Sequence, residues 1–265
     1  VELGNVGSIF LRNRFDKGRR SFLARMQENT DIAARLRQLP WPMRVEVSSE
    51  EIPYNFGDWY GIDTMDGFLA SLPANMMRLN IYSSRVRRMY GVNYTLTRKP
   101  PGPNQKEIFQ GASGLRILWN LDAFPRVWTV HEAERIRTPR DIDAIIGADA
   151  FDLRRKTFLF DEPPPMRACE SAGKAAPLER TSGRLLIRAD LQCAGMVIIS
   201  ENYFPGWTAT VDGKPAKIYE AYGAVRGVAV GPGSHRIEMA YRPMSVYLGA
   251  LMTVSGLLIA AALAV

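Results

Sequence analysis

The stretch Tyr54-Asn-Phe-Gly-Asp-Trp-Tyr-Gly-Ile-Asp-Thr-Met-Asp66 gathers side chains that suit a carbohydrate. Trp59 and Tyr60 offer flat apolar faces with polar tips, and Asp58, Asp63 and Asp66 offer acceptors for hydroxyl donors. A sugar ring has the complementary surface, apolar on its faces and rimmed by hydroxyls. These five residues are the substrate-binding candidates. The plainer alternative is an Ω-like loop that packs its own aromatics, and residue types alone favour it. A hydrolytic acid and base drawn from these carboxylates is not implied, because spacing along a loop does not set the separation such chemistry requires.

Elsewhere reactive residues are sparse. Cys169 and Cys193 lie 24 residues apart without a CxxC, which fits neither a metal site nor a redox motif. In an exported domain the two can join, and the sequence leaves that open. His131 and His235 are far apart and lack HExxH or HxH spacing, so no zinc centre is expected. Gly-Pro-Gly-Ser at 231–234 lacks the lysine and helix of a phosphate loop. No catalytic residue, metal ligand or cofactor site is assigned. Arg226, in an apolar strand, calls for a carboxylate partner such as Glu201 or Glu220.

The elements that must position these residues change character along the chain. Of 265 residues, 46% are hydrophobic and 23% charged, which excludes a disordered tail, a collagen-like rod and a disulfide-dense mini-protein. Residues 1–40 read as a basic membrane-proximal lead-in followed by a helix that opens at Thr30-Asp31 and stops at Pro40. Residues 41–165 read as an α/β domain, with strands near 43–47, 92–97, 115–119 and 126–130. Helices are expected over 74–90, closed by Gly91, and from Thr138-Pro139 to Ile146. Residues 166–182, small and polar after Pro163-Pro-Pro165, read as a linker. Residues 183–243 alternate apolar and polar in short runs with turns every eight to twelve residues, and Asp212-Gly213 is a strong hairpin signal, so a β-sandwich is expected. From Met244 to Val265 there is no charged residue; that run of 22 suffices to cross a bilayer, which takes about 20 apolar residues. The fold class expected is α+β: a mixed α/β domain, a β-sandwich and a C-terminal transmembrane helix.

Net charge is +7, but its distribution does not describe a nucleic-acid surface. Six acids without a base occupy 45–77 and seven bases without an acid occupy 74–106, blocks that can neutralise each other. No nucleic-acid partner is expected. The chain opens on Val1 without a signal-peptide pattern. The expectation is a piece of a longer protein, with any export signal upstream.

One ordered series of motifs points further. Glu201-Asn-Tyr-Phe-Pro-Gly-Trp207, Val211-Asp-Gly-Lys-Pro215, Gly223-Ala-Val-Arg-Gly-Val-Ala-Val230, Gly233-Ser-His235 and Tyr241-Arg-Pro243 precede a terminal apolar helix. With Gly91-Val-Asn-Tyr-Thr-Leu96 and Leu121-Asp-Ala-Phe-Pro-Arg126, the series resembles the C-terminal end of YfhO-like bacterial membrane proteins. The resemblance implies a polytopic protein of the GT-C glycosyltransferase superfamily, in the bacterial cytoplasmic membrane with its soluble part outside. Such enzymes transfer sugars from polyprenyl-phosphate carriers to cell-envelope acceptors. Their catalytic carboxylate lies in an early external loop that this chain lacks, so no catalytic residue carries over. The expected partners are the lipid bilayer, through residues 244–265, and a glycan or polyprenyl-linked sugar. The rival reading is a non-catalytic, membrane-tethered binding or scaffold module.

Overall fold

The computed structural model describes residues 24–263, except 49, 54, 66, 68–71, 167, 168 and 170–172. The lead-in before residue 24 lies outside the described residues. The chain divides into two compact units: Val1–Ala70 with Val92–Ala123, and Ser71–Gly91 with Phe124–Val265.

In the first unit, helix α1 (Thr30–Leu36) carries Asp31 in its first turn and buries Ile32, Ala33 and Leu36. Strand β1 (Val45–Val47) follows, then a five-residue helix, α2 (Phe56–Tyr60). Strands β2 (Tyr94–Thr97), β3 (Gln105–Gln110) and β4 (Arg116–Asn120) complete a sheet of order β1-β2-β4-β3, with β1 parallel to β2 and the remaining pairs antiparallel. Its core joins Ile32 and Leu36 of α1 to Val45, Val47, Leu96 and Ile117 of the sheet and to Phe56 of α2. Strand β3 was not legible in the sequence: Gln-Lys-Glu-Ile-Phe-Gln has no clean alternation, because it is an edge strand with no fully buried residue.

The second unit begins with the segment expected to be one helix over 74–90. It forms instead a single 3-10 turn, Met76–Arg78, and a short helix, α3 (Ser84–Met89). The apolar spacing there was incidental, since Met77 is 74% exposed. Local side-chain chemistry breaks the run: the Asn80 carboxamide accepts from the Tyr82 amide at 3.2 Å, an Asx-type turn, while the Asn80 amide donates to Asp143 at 2.9 Å. Strands β5 (Val127–Val130) and β6 (Glu132–Arg135) lead to Thr138-Pro139, where helix structure starts as expected with a 3-10 turn that runs into α4 (Ile142–Gly147).

Nine more strands build two sheets: β7 (Lys156–Leu159), β8 (Lys174–Arg180), β9 (Arg184–Leu191), β10 (Gly195–Asn202), β11 (Trp207–Val211), β12 (Lys214–Ala216), β13 (Ile218–Ala221), β14 (Val225–Val230) and β15 (Gly233–Tyr241). One sheet has the order β5-β10-β14-β13-β7-β6, the other β12-β11-β15-β9-β8. Their inner faces share one core, with Val197, Ile199, Val228 and Val230 from the first and Ile187, Ala189, Ile237 and Met239 from the second. This is a β-sandwich. It draws in more chain than the 183–243 boundary implied. Strand β5 pairs with β10, β7 with β13, and β8, inside the expected linker 166–182, pairs with β9. Segment 71–91 joins this unit as well: Asn75 Nδ2 donates to the Tyr203 carbonyl at 2.7 Å and the Tyr90 hydroxyl donates to Asn202 at 2.9 Å. Cys169 and Cys193 form a disulfide.

The sandwich ends in α5 (Met244–Leu263), 20 residues of mean hydropathy 2.1 with no buried residue. At about 1.5 Å per residue it spans about 30 Å, the thickness of a bilayer's hydrocarbon core. Among the described residues it is the one helix long and apolar enough to cross a membrane. Its Thr253 hydroxyl donates to the Gly249 carbonyl at 2.8 Å, which keeps a polar group satisfied without water.

Candidate functional site

The structure describes four of the five sugar-site candidates and separates them. Trp59 and Asp58 lie on the exposed side of α2, with Trp59 55% exposed. Tyr60 turns inward, four residues after Phe56 on the same helical face. Its ring lies 5.0 Å from that of Phe56, its hydroxyl donates to the Met26 carbonyl at 2.7 Å, and the Arg37 guanidinium stacks over it. Burial raises the Tyr60 pKa, with Arg37 opposing, so the phenol is a neutral donor committed to the core. Asp63 is half-buried, and its backbone carbonyl accepts from Val45 at 2.9 Å, tying the segment to β1. Asp66 lies outside the described residues. A Cβ at Gly57 would meet the Ile62 carbonyl and the Thr64 side chain at 2.7 Å, so only glycine lets this segment fold back on α2. Asp58 and Trp59 therefore remain as an exposed apolar face with an adjacent carboxylate, and Tyr60 is not part of it. Among the described residues, no three of His, Cys, Asp and Glu converge as a metal site would need.

Where the two charge blocks meet in the first unit, the Glu51 carboxylate accepts from the Arg98 backbone amide at 2.8 Å, a hydrogen bond and not an ion pair. Arg78 and Arg85 find their acids in the second unit instead, Glu220 at 3.4 Å and Asp149 at 2.7 Å.

Sequence reasoning missed a second cluster, where the sandwich meets α5. The Pro205-Gly206-Trp207 turn docks on the chain just before the helix: the Arg242 amide donates to the Gly206 carbonyl at 2.6 Å, and the Trp207 ring lies 5.4 Å from that of Tyr241. Gly206 has φ +98, and a Cβ there would meet Pro243 and the Tyr241 ring at 3.1 Å. On the other side of Trp207 the Arg226 guanidinium stacks at 3.8 Å while its Nε donates to the Asn202 carbonyl at 2.9 Å. Neither carboxylate expected for Arg226 is bonded to it directly. Glu220 pairs with Arg78, and Glu201 is held by Arg126 and, at 3.2 Å, by Arg180. Burial lowers the Arg226 pKa to about 10, with Glu201 opposing and Arg180 adding to the lowering. Arg180, Ser182, Leu185, Glu201, Trp207 and Arg226 enclose a pocket of about 170 Å³. The signal in sequence was Arg226 in an apolar strand; Arg180 reads as part of a linker, and the two meet through the packing of one sheet on the other, which no local pattern announces.

No curated protein and no solved structure matches this chain. A family model described as "Bacterial membrane protein YfhO" matches residues 179–253, from the end of β8 into α5. The earlier motifs at 91–96 and 121–126 lie outside that match. It covers the Pro-Gly-Trp turn, Arg180, Arg226 and the junction with the helix, and over that stretch the chain is similar to the YfhO family of bacterial membrane proteins.

Proposed function

We propose that this chain is the extracytoplasmic C-terminal part of a polytopic, glycosyltransferase-like membrane protein. That protein moves sugars from polyprenyl-phosphate carriers onto cell-envelope glycans. The part described here positions the acceptor, covers the membrane-embedded site or docks a partner, and does not itself transfer sugar. The observation that carries the reading is the YfhO match running without interruption from a β-sandwich into a helix of membrane-spanning length. The Cys169–Cys193 disulfide supports the external side, since such bonds persist in oxidising compartments. Glycan contact falls to Trp59 and Asp58, with Asp63 and Asp66 nearby in sequence.

The test is envelope glycan composition by mass spectrometry in bacteria lacking the gene. Loss of one sugar decoration, restored by the full-length gene but not by a version lacking residues 183–243, is the expected result. An unchanged envelope in the deletion strain contradicts the proposal.

A further inference from the structure

We propose that the pocket beside the Pro-Gly-Trp turn is an anion site that takes the phosphate of an anionic membrane-lipid headgroup, one with no cation of its own to compete with the arginines. Three observations carry this.

The first is charge. The pocket wall carries two guanidiniums, Arg180 and Arg226, and one carboxylate, Glu201. That carboxylate is shared by Arg180, at 3.2 Å, and by Arg126, whose side chain is 4% exposed, so one negative charge faces three guanidiniums. The wall is left with a net positive charge, and the Ser182 hydroxyl adds a donor. Arginine is suited to phosphate because its planar fork donates in parallel to two oxygens. Burial and Arg180 together press on the Arg226 cation, and a bound anion relieves both.

The second is size. At about 170 Å³ the pocket is well below the roughly 300–1,000 Å³ of sites that enclose whole small-molecule ligands. It admits a compact charged group whose remainder stays outside, as a lipid's does.

The third is height above the membrane. Trp207 forms one wall and stacks on Tyr241, and Met244 begins α5 three residues later. Three residues reach at most about 11 Å, while the headgroup layer occupies roughly 5–8 Å on each side of the hydrocarbon. Phe204, Tyr241 and Tyr247 are 46%, 37% and 57% exposed around the same junction, the aromatic belt expected at a membrane interface. The site therefore lies within reach of lipid phosphates once α5 is inserted. It does not depend on any transfer chemistry.

The experiment uses the full chain, reconstituted in equal phosphatidylglycerol and phosphatidylcholine. Lipids retained after gentle detergent release are counted by native mass spectrometry. Phosphatidylglycerol is expected to be enriched, and Arg180→Gln and Arg226→Gln are each expected to cut that enrichment by about fivefold, the weight of one arginine near an anionic surface. Arg135→Gln, which removes an exposed cation paired with Glu162, is expected to leave it unchanged. Melting curves identify any variant that fails to fold; if Arg226→Gln does, Arg180→Gln decides. Unchanged enrichment in the folded pocket variants overturns the proposal, as does an equal loss in Arg135→Gln. Complete displacement of the lipid by soluble glycerol phosphate at matched concentration also overturns it, by assigning the pocket to a free anion.

Discussion

Trp59 and Tyr60 are neighbours in sequence with opposite roles, and the helix between Phe56 and Tyr60 decides which is which. A helical step of about 100° sends Tyr60 into the core beside Phe56 and leaves Trp59 outside. Sequence composition marked this stretch as aromatic and acidic but could not separate the two, because five residues of helix give too little periodicity to read. The exposure of Trp59 sets its energetics. Burying and then truncating a tryptophan costs about 3–5 kcal/mol, but a side chain 55% exposed gives up far less. Trp59→Ala is expected to lower stability by less than about 1 kcal/mol and, where the Asp58–Trp59 face meets a saccharide, to abolish measurable binding. Thermal melting and saccharide titration on one preparation read both. A large loss of stability with unchanged binding removes Trp59 from the site.

Among the elements, hairpins show what local sequence can specify. Asp212-Gly213 was readable because both residues adopt positive φ, +51 and +80, in a two-residue turn that Asp-Gly favours. Tyr222 adopts the same left-handed conformation, φ +51, and no local signal announces it. Its ring is fully buried against Phe158 and Trp128 and its hydroxyl lies 2.7 Å from the Leu153 carbonyl, so tertiary packing imposes what local preference opposes. The Gly206 turn is the element that ties sandwich to membrane helix. Gly206→Ala puts a Cβ into the strained φ and against Pro243, and is expected to cost more than about 1 kcal/mol. Gly231→Ala, where a Cβ meets open space, is expected to be neutral. Unfolding midpoints of the two variants in the same detergent make the comparison; equal midpoints contradict the proposed docking role of the turn.

At the scale of the whole molecule, the α+β class, the sandwich and the terminal helix were legible because each rests on a pattern within one segment: alternation, turn chemistry, or an uncharged apolar run. The partition was not legible. Strands β5, β7 and β8 look like parts of an upstream domain and a linker, yet they complete the two sheets through pairings that span tens of residues. Such register is set by tertiary burial rather than by neighbours in sequence. The resulting molecule places a β-sandwich directly before a helix with no buried residue, joined by Arg242 and Pro243 alone. The central claim is that α5 crosses the bilayer and holds this sandwich at its outer surface. The direct measurement is thiol labelling with a membrane-impermeant maleimide in intact cells, using Lys214→Cys in the exposed β11–β12 hairpin. The native cysteines are bonded to each other and do not compete. Labelling of intact cells at the level seen after lysis is the expected result; labelling that appears only after lysis contradicts the account.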